Sequence, residues 1–330
     1  MLELENDVVG QCEAIEGLLN HITSYKAVEA LNRVLCNPQM YYKIRIRAAK
    51  AMAKSPTIGL DLLLKFFRSE YYDSSGNQIR ANNFDNISSY LVQKGVVKAI
   101  ASVKDKEGRT STEAAEFLLD LLKNNDNSRN PYTDNYYIVT ILQSLTQMEA
   151  PSIQGKIIKQ IERHLSIEKL VPSYHNVITV ACLKCLAELM KQSKVNVDMD
   201  LFKDYIVYGH YEKVRTAASK YLLDLAAAFS TTYKGREIFD CFMDIVDRDK
   251  VTHIKRKILQ YMIQMPNPVY PNNTNYYNTY MPPSVVQRMD QYRRFFRDIT
   301  EAPTTPERLW TLMNTGATAF DGMVWSMAAR

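Results

Sequence analysis

The hydrophobic positions of this chain fall into short stripes, and the stripes themselves return. Val214, Ala218 and Leu222 recur every four residues, which places them on one face of a helix. Arg215 directly follows the first of them and a turn-prone Gly209 lies just upstream, so a turn feeds a helix that opens on an aliphatic–basic pair. The same offsets give Ile44, Ala48 and Met52, with Arg45 after the first position. They also give Ile254, Ile258 and Met262, with Lys255 after the first and Asp249 at the turn. Tyr137, Ile141 and Leu145 repeat the spacing, as do Val177, Ala181 and Cys185 and, less regularly, Ile87, Leu91 and Gly95.

One such stripe occurs in any helical protein; the interval between stripes carries more weight. Their first residues return about every 40 residues, with a longer gap between Ile87 and Tyr137, which is the period of HEAT and armadillo repeats. A helix pair of this kind cannot bury its apolar face alone and stacks against copies of itself. The pattern predicts an all-α HEAT/armadillo-type helical-repeat solenoid of at least twelve helices, with an irregular helical bundle as the alternative. Ala218, Leu222, Ile258 and Met262 are expected in its core.

Breaks in the pattern set the expected domains. Repeats occupy 1–265, punctuated by Asn37-Pro38, Pro56, a polar loop from Ser69 to Asn83, and NNDNSRNP after a helix from Thr112 to Lys123. The stretch 266–283, PNPVYPNNTNYYNTYMPP, holds five prolines and cannot continue a helix, so it reads as a surface loop or tether. Ser284 caps a further helix to about Ile299, and Pro306 begins a last one, so that 284–330 completes the solenoid. The chain opens on helical pattern and stops inside it at Arg330, as expected of a segment cut from a longer chain.

Composition narrows the class. Apolar residues make up 46% and charged residues 23%, a balance typical of a soluble globular fold, and only 11 glycines argue against turn-dense β architecture. A net charge of +5 falls short of a dedicated nucleic-acid-binding domain, so contacts with polyanions would come from local patches. Five cysteines without framework spacing predict a reduced, intracellular setting, and the acidic start at Glu3, Glu5 and Asp7 is unlike a secretory signal. No stretch approaches the ~18 apolar residues of a membrane span.

Several longer stretches resemble one family, TBP-associated factor 2 of general transcription factor TFIID. They are QIRANNF and SYLVQK within 78–94, LLDLLKNNDN and TDNYY within 118–137, EKLVPSYHNVITVACLKCL (168–186), LFKDYIVYGHYEKVRTAA (201–218) and RLWTLMNTGAT (308–318). They run in family order over most of the chain; no family pattern is found at 266–283. The resemblance implies the HEAT-like C-terminal region of that subunit, without its peptidase-like domains. It further implies a nuclear role in assembling TFIID on core promoters. A segment of TBP-associated factor 8 would be the direct ligand, with TBP and TBP-associated factor 1 in the complex and promoter DNA met in concert with them.

Candidate chemistry is sparse. The H-E-x-x-H motif of related zinc aminopeptidases is absent, and His21, His164, His175, His210 and His253 have no paired ligand spacing. Cys182 and Cys185 form a CxxC on a predicted helix with no second pair, which reads as buried packing rather than a metal or redox site. Neither a cofactor nor a small-molecule substrate is expected.

Surfaces remain. Lys43, Arg47, Lys50 and Lys54 fall on one helical face, either a solvated basic face or a ridge able to meet phosphates. Arg288, Arg293, Arg294 and Arg297 form a second cluster, interleaved with Tyr292, Phe295 and Phe296, whose rings either stack on bases or pack inward. Tyr136 is a candidate docking residue if Asp134 caps the helix it opens, beside the plainer reading of capping plus packing. These features point to a non-enzymatic scaffold binding other TFIID subunits and promoter DNA, with no membrane partner. Two alternatives stay open: the helical domain of a zinc aminopeptidase, which an upstream H-E-x-x-H would favour, and a trafficking or nuclear-transport adaptor, which would not co-purify with TBP.

Overall fold

The computed structural model describes residues 5–264 apart from 6, 77, 106, 129, 149–150, 194–199, 230–232 and 250, and beyond 264 describes residues 294, 307 and 310. Within them lie thirteen α-helices: α1 (Val8–Leu19), α2 (Tyr25–Cys36), α3 (Tyr42–Met52), α4 (Ile58–Tyr71), α5 (Ile87–Ala101), α6 (Thr112–Asn124), α7 (Asn135–Thr146), α8 (Gln154–Leu170), α9 (Val177–Ser193), α10 (Asp200–Ile206), α11 (Glu212–Ala228), α12 (Tyr233–Arg248) and α13 (Thr252–Gln264). Isolated bridges such as Tyr72 with Ile79 are the extent of β pairing among the described residues. The helices group into two compact units, 1–185 and 186–330, which divide within α9.

From α1 to α8 each helix packs on its sequence neighbour, and alternate helices pack on one another: α1 on α3, α3 on α5, α5 on α7, and on the other side α2 on α4 and α6 on α8. The result is two layers of helices, the all-α helical-repeat arrangement that the period predicts. The stripe helices form one layer and the intervening helices the other. In the second unit α11 packs against α10, α12 and α13 by the same rule.

Most stripe positions are in the core, though Val177, the first of its stripe, is only half-buried. Ile44, Ala48, Met52, Tyr137, Ile141, Leu145, Ala181, Cys185, Val214, Ala218, Leu222, Ile254 and Ile258 are all buried. The side chain of Met262 lies outside the described residues. One register is corrected: Ile87 is 55% exposed and Leu91 half-buried, and α5 instead buries Val92, Val96 and Ile100. Gly95 is on the buried side because α3 comes too close for a side chain. A Cβ there would lie 2.6 Å from Ile46 Cγ1. The loop read from Ser69 begins only after Tyr71, where Asp73 accepts from the backbone of Gln78 and from the Ser75 hydroxyl.

The basic residue after the stripe has a structural task. Arg45 is buried and its Nε donates to the carbonyl of Leu35 at 2.8 Å, in the last turn of α2. Arg215 repeats this with Ile206, the last residue of α10, again at 2.8 Å. Helix ends leave carbonyls without intrahelical partners, and a cation there also meets the negative end of the helix dipole. Gly209, at φ +117, makes the tight turn that brings Arg215 back over that end. Arg215 then pairs with the buried carboxylate of Asp249, tying α11 to the turn before α13.

Candidate functional site: an acid-free face

The four cations of α3 lie opposite its buried face. Ile44, Arg45, Ala48, Ala49 and Met52 point inward, so Lys43, Arg47 and Lys50 are exposed along the helix, with Lys54 exposed just beyond its end. Arg47 is paired with Glu16 of α1. Lys43 Nζ lies 5.8 Å from the ring centroid of Tyr41. Lys43, Lys50 and Lys54 form no ion pair among the described residues.

The next helix of the layer continues the face. Ile87 and Lys98 are exposed on α5, with Leu91 and Lys94 half-buried between them. Lys94 Nζ sits 5.4 Å from the ring centroid of Tyr90 and 5.7 Å from that of Tyr136, which opens α7 and is 57% exposed. Phe84 joins Tyr90 at 5.0 Å and the exposed Tyr132 at 5.9 Å, completing an aromatic surround. Burial lowers the Lys94 ammonium from its ordinary value, and the neighbouring Lys98 adds to that, while the two ring faces favour the cation. Burial and the nearby Asp134 push the Tyr90 phenol up to about 12.

No Asp or Glu occurs in α3, α5 or α7. The intervening helices of the same unit all carry acids: Glu29 on α2, Asp61 and Glu70 on α4, Glu113, Glu116 and Asp120 on α6, and Glu162 and Glu168 on α8. A modest net charge is therefore unevenly placed. The helices α3, α5 and α7 present lysines beside exposed aliphatic and aromatic side chains, while carboxylates lie on the intervening helices and on α1, whose Glu13 and Glu16 border the α3 end of the face. Sequence reasoning found the α3 cations but not this layer, because each helix alone looks ordinary. The signal was a run of acid-free helices at alternate positions.

Asp134 departs from expectation. It occupies the N-cap position of α7 but makes no side-chain cap bond. Its buried carboxylate instead accepts from Asn82 Nδ2 at 3.1 Å and Asn125 Nδ2 at 2.6 Å, while Asn130 Nδ2 donates to the Asn82 carbonyl. Two neutral amides thus outcompete the local backbone for a buried anion, and they join the loops before α5 and α7. Glu168 does similar work at the α8–α9 turn, accepting from the backbone and hydroxyl groups of both Ser173 and Thr179. That turn also holds His175 and Asn176 at positive φ. Asn82, Asn125, Asp134 and Glu168 thus tie turns together from within stretches that carry the family resemblance.

Elsewhere the chemistry is that of packing. Cys182 and Cys185 are buried, and burial drives the Cys182 thiol well above its ordinary value, away from the thiolate that metal binding or redox work needs. Burial also lowers His164. Among the described residues no three His, Cys, Asp or Glu side chains converge as a metal set. Arg294 is exposed in a helical position, whereas Arg288, Arg293 and Arg297 lie outside the described residues.

A family model described as "TAF2-like, TPR repeats" matches residues 1–293. The chain belongs to this TAF2-like family. TPR, HEAT and armadillo repeats are all stacked helix hairpins, so the description agrees with the layered packing. Transcription initiation factor TFIID subunit 2 of Danio rerio is 32% identical over 287 residues, covering 80% of this chain and 24% of its own length. The protein of that name from Drosophila melanogaster is 30% identical over 250 residues, 68% of this chain and 20% of its own. The Saccharomyces cerevisiae one is 25% identical over 205 residues, 58% of this chain and 15% of its own. This TAF2-like chain thus spans 15–27% of the length of the curated relatives it matches.

Proposed function

We propose that this chain is a non-catalytic scaffold region of a TFIID subunit, acting in the nucleus in transcription initiation by RNA polymerase II. It mediates subunit assembly and, in concert with partners, engagement of core promoter DNA. Family membership supplies the assembly; the observation that carries a binding role within it is the acid-free face of α3, α5 and α7. Stacked helix pairs offer a continuous surface that an extended segment or a neighbouring subunit can follow. Lys43, Arg47, Lys50, Lys54 and Tyr136 are proposed as contacts on it. Arg288, Arg293, Arg294 and Arg297 are proposed as a second contact surface, within a 284–330 region that completes the repeats of 1–265 across the 266–283 connection. As the resemblance implies, TBP-associated factor 8 is the direct ligand, with TBP-associated factor 1 and TBP in the same complex.

Crosslinking mass spectrometry of the native assembly tests the reading. Lys50, Lys54 and Lys98 should crosslink to other TFIID subunits, and this chain should co-purify with TBP from nuclei. Recovery of the chain without TBP, or cleavage of aminoacyl substrates by it, would replace the scaffold reading with the adaptor or the peptidase alternative.

A further inference from the structure

We infer that the solvent face of α3, α5 and α7 takes an extended acidic protein segment bearing aliphatic or aromatic side chains. The inference deepens the scaffold reading and rests on it. Its first support is charge. Lys43, Lys50, Lys54, Lys94 and Lys98 stand on one layer of helices without a carboxylate partner among the described residues, and none of the three helices supplies one. Like charges left unscreened on adjacent surface repel each other, and an incoming run of Asp and Glu relieves that repulsion.

The second support is the apolar half of the same face. Ile87 at 55% and Tyr136 at 57% exposure stand in solvent beside half-buried Leu91, Tyr90 and Phe84. A DNA backbone would use the lysines and leave these side chains idle, since phosphate contacts need only cations and donors. A protein segment uses both halves, with its carboxylates toward Lys50, Lys54 and Lys98 and its apolar side chains over Ile87, Leu91 and Tyr136. Lys94 lies where the halves meet. Its ammonium has given up part of its hydration to the Tyr90 and Tyr136 rings, and a carboxylate arriving there would restore a polar partner.

Three labelled probes decide the matter, with the full chain and fluorescence anisotropy: polyglutamate, a random glutamate–tyrosine copolymer and a short duplex DNA of random sequence. Two variants alter only exposed or face-lining positions, Lys50→Glu/Lys54→Glu/Lys98→Glu and Ile87→Ser/Tyr136→Ser, with retained helicity checked by circular dichroism. At low salt the copolymer should bind about tenfold tighter than polyglutamate, since buried tyrosine adds to the charge contacts. The charge-reversed chain should bind both about tenfold or more weakly, an effect that shrinks as salt is added. The Ile87/Tyr136 variant should lose the copolymer's advantage and keep polyglutamate binding.

Equal affinity for the two polymers overturns the inference, as does an Ile87/Tyr136 variant that behaves like the parent. Tighter binding of the duplex than of either polymer would reassign the face to DNA. A dimer in sedimentation velocity that the charge-reversed chain loses would reassign it to a second copy. Co-purification of the tagged wild-type chain with TBP keeps the two readings apart. Its failure beside intact copolymer binding removes the assembly as the source of the segment. Its success with undiminished recovery of other subunits on the charge-reversed chain removes the face.

Discussion

Truncating Arg215 tests whether the ion pair that ties α11 to the following turn stabilises the repeat. Arg215 is 4% exposed, its Nε donates to the Ile206 carbonyl, and its guanidinium meets the buried Asp249 carboxylate. Arg215→Ala leaves that carboxylate in the interior without a counter-charge and the carbonyl without its donor. Breaking a buried pair from one side costs ~3–5 kcal/mol. Arg45→Ala is the internal control, because Arg45 makes the same bond to Leu35 and is likewise buried but has no described carboxylate partner. Losing a charge-assisted hydrogen bond alone costs ~1.5–3 kcal/mol. The Arg215 variant should therefore be the weaker by ~2 kcal/mol, the difference between these two ranges. Urea unfolding followed at the helical circular dichroism band gives the totals. Hydrogen exchange should place the Arg215 loss in α10–α13, because repeat proteins sum local terms. Replacing both partners by apolar residues, Arg215→Met with Asp249→Leu, should recover only the ~2 kcal/mol that the unpaired charge adds. The remaining deficit would come from the Ile206 carbonyl, which lacks its Arg215 donor, and from the Val251 backbone N–H that Asp249 now accepts at 2.9 Å. Equal costs for Arg215→Ala and Arg45→Ala would refute a stabilising pair. A double variant no better than the single would refute the unpaired charge as the cause.

Leu222 is fully buried, so Leu222→Ala should cost ~2–5 kcal/mol and lower the urea midpoint; an unchanged midpoint would remove Leu222 from the core. Gly95→Ala should gain ~1 kcal/mol of helix propensity but lose ~1–3 kcal/mol to overpacking against Ile46. Adding Ile46→Ala should make the pair non-additive, and strict additivity in the cycle would mean that α3 and α5 do not approach so closely. Burial holds the Tyr71 and Tyr90 phenols near 12, above an unfolded value of about 10. The folded chain then binds those protons more tightly, so stability is full below pH ~10 and falls as pH rises toward ~12. Lys94, whose value is lowered, acts in the opposite sense, its desolvation penalty fading over the alkaline range. Tyr71→Phe with Tyr90→Phe should flatten the alkaline fall measured by urea unfolding; an identical slope would contradict their burial.

The repeat period was legible because the stripes of α3, α7 and α11 sit in helices that pack on both sequence neighbours. Helices α3, α7, α11 and α13 each open within two residues of the expected stripe, and α9 opens on it. The register of α5 was not legible, for a physical reason. Its core side includes Gln93, only 2% exposed, while Ile87 is left in water, so a polar and an apolar residue have changed places within the pattern. Binary patterning assumes that apolar residues seek the core. It fails at Ile87, an aliphatic side chain left in water on the proposed face.

Asp134 shows the same limit at longer range. A carboxylate just before a helix is a capping signal, yet two asparagines, Asn82 and Asn125, hold it instead. Local rules see the helix end and cannot see a donor brought in from the far side of α5. The acid-free layer is hidden in the same way, since it exists only once α3, α5 and α7 are known to be neighbours. Packing does not explain it. Solvent-facing positions on α4, α6 and α8 accept Asp and Glu without cost to the core, and equivalent positions on α3, α5 and α7 would accept them too. The asymmetry is therefore not required by what holds the helices together, so charge reversal at Lys50, Lys54 and Lys98 should leave the fold standing, and on the proposed reading of this face it should alter binding.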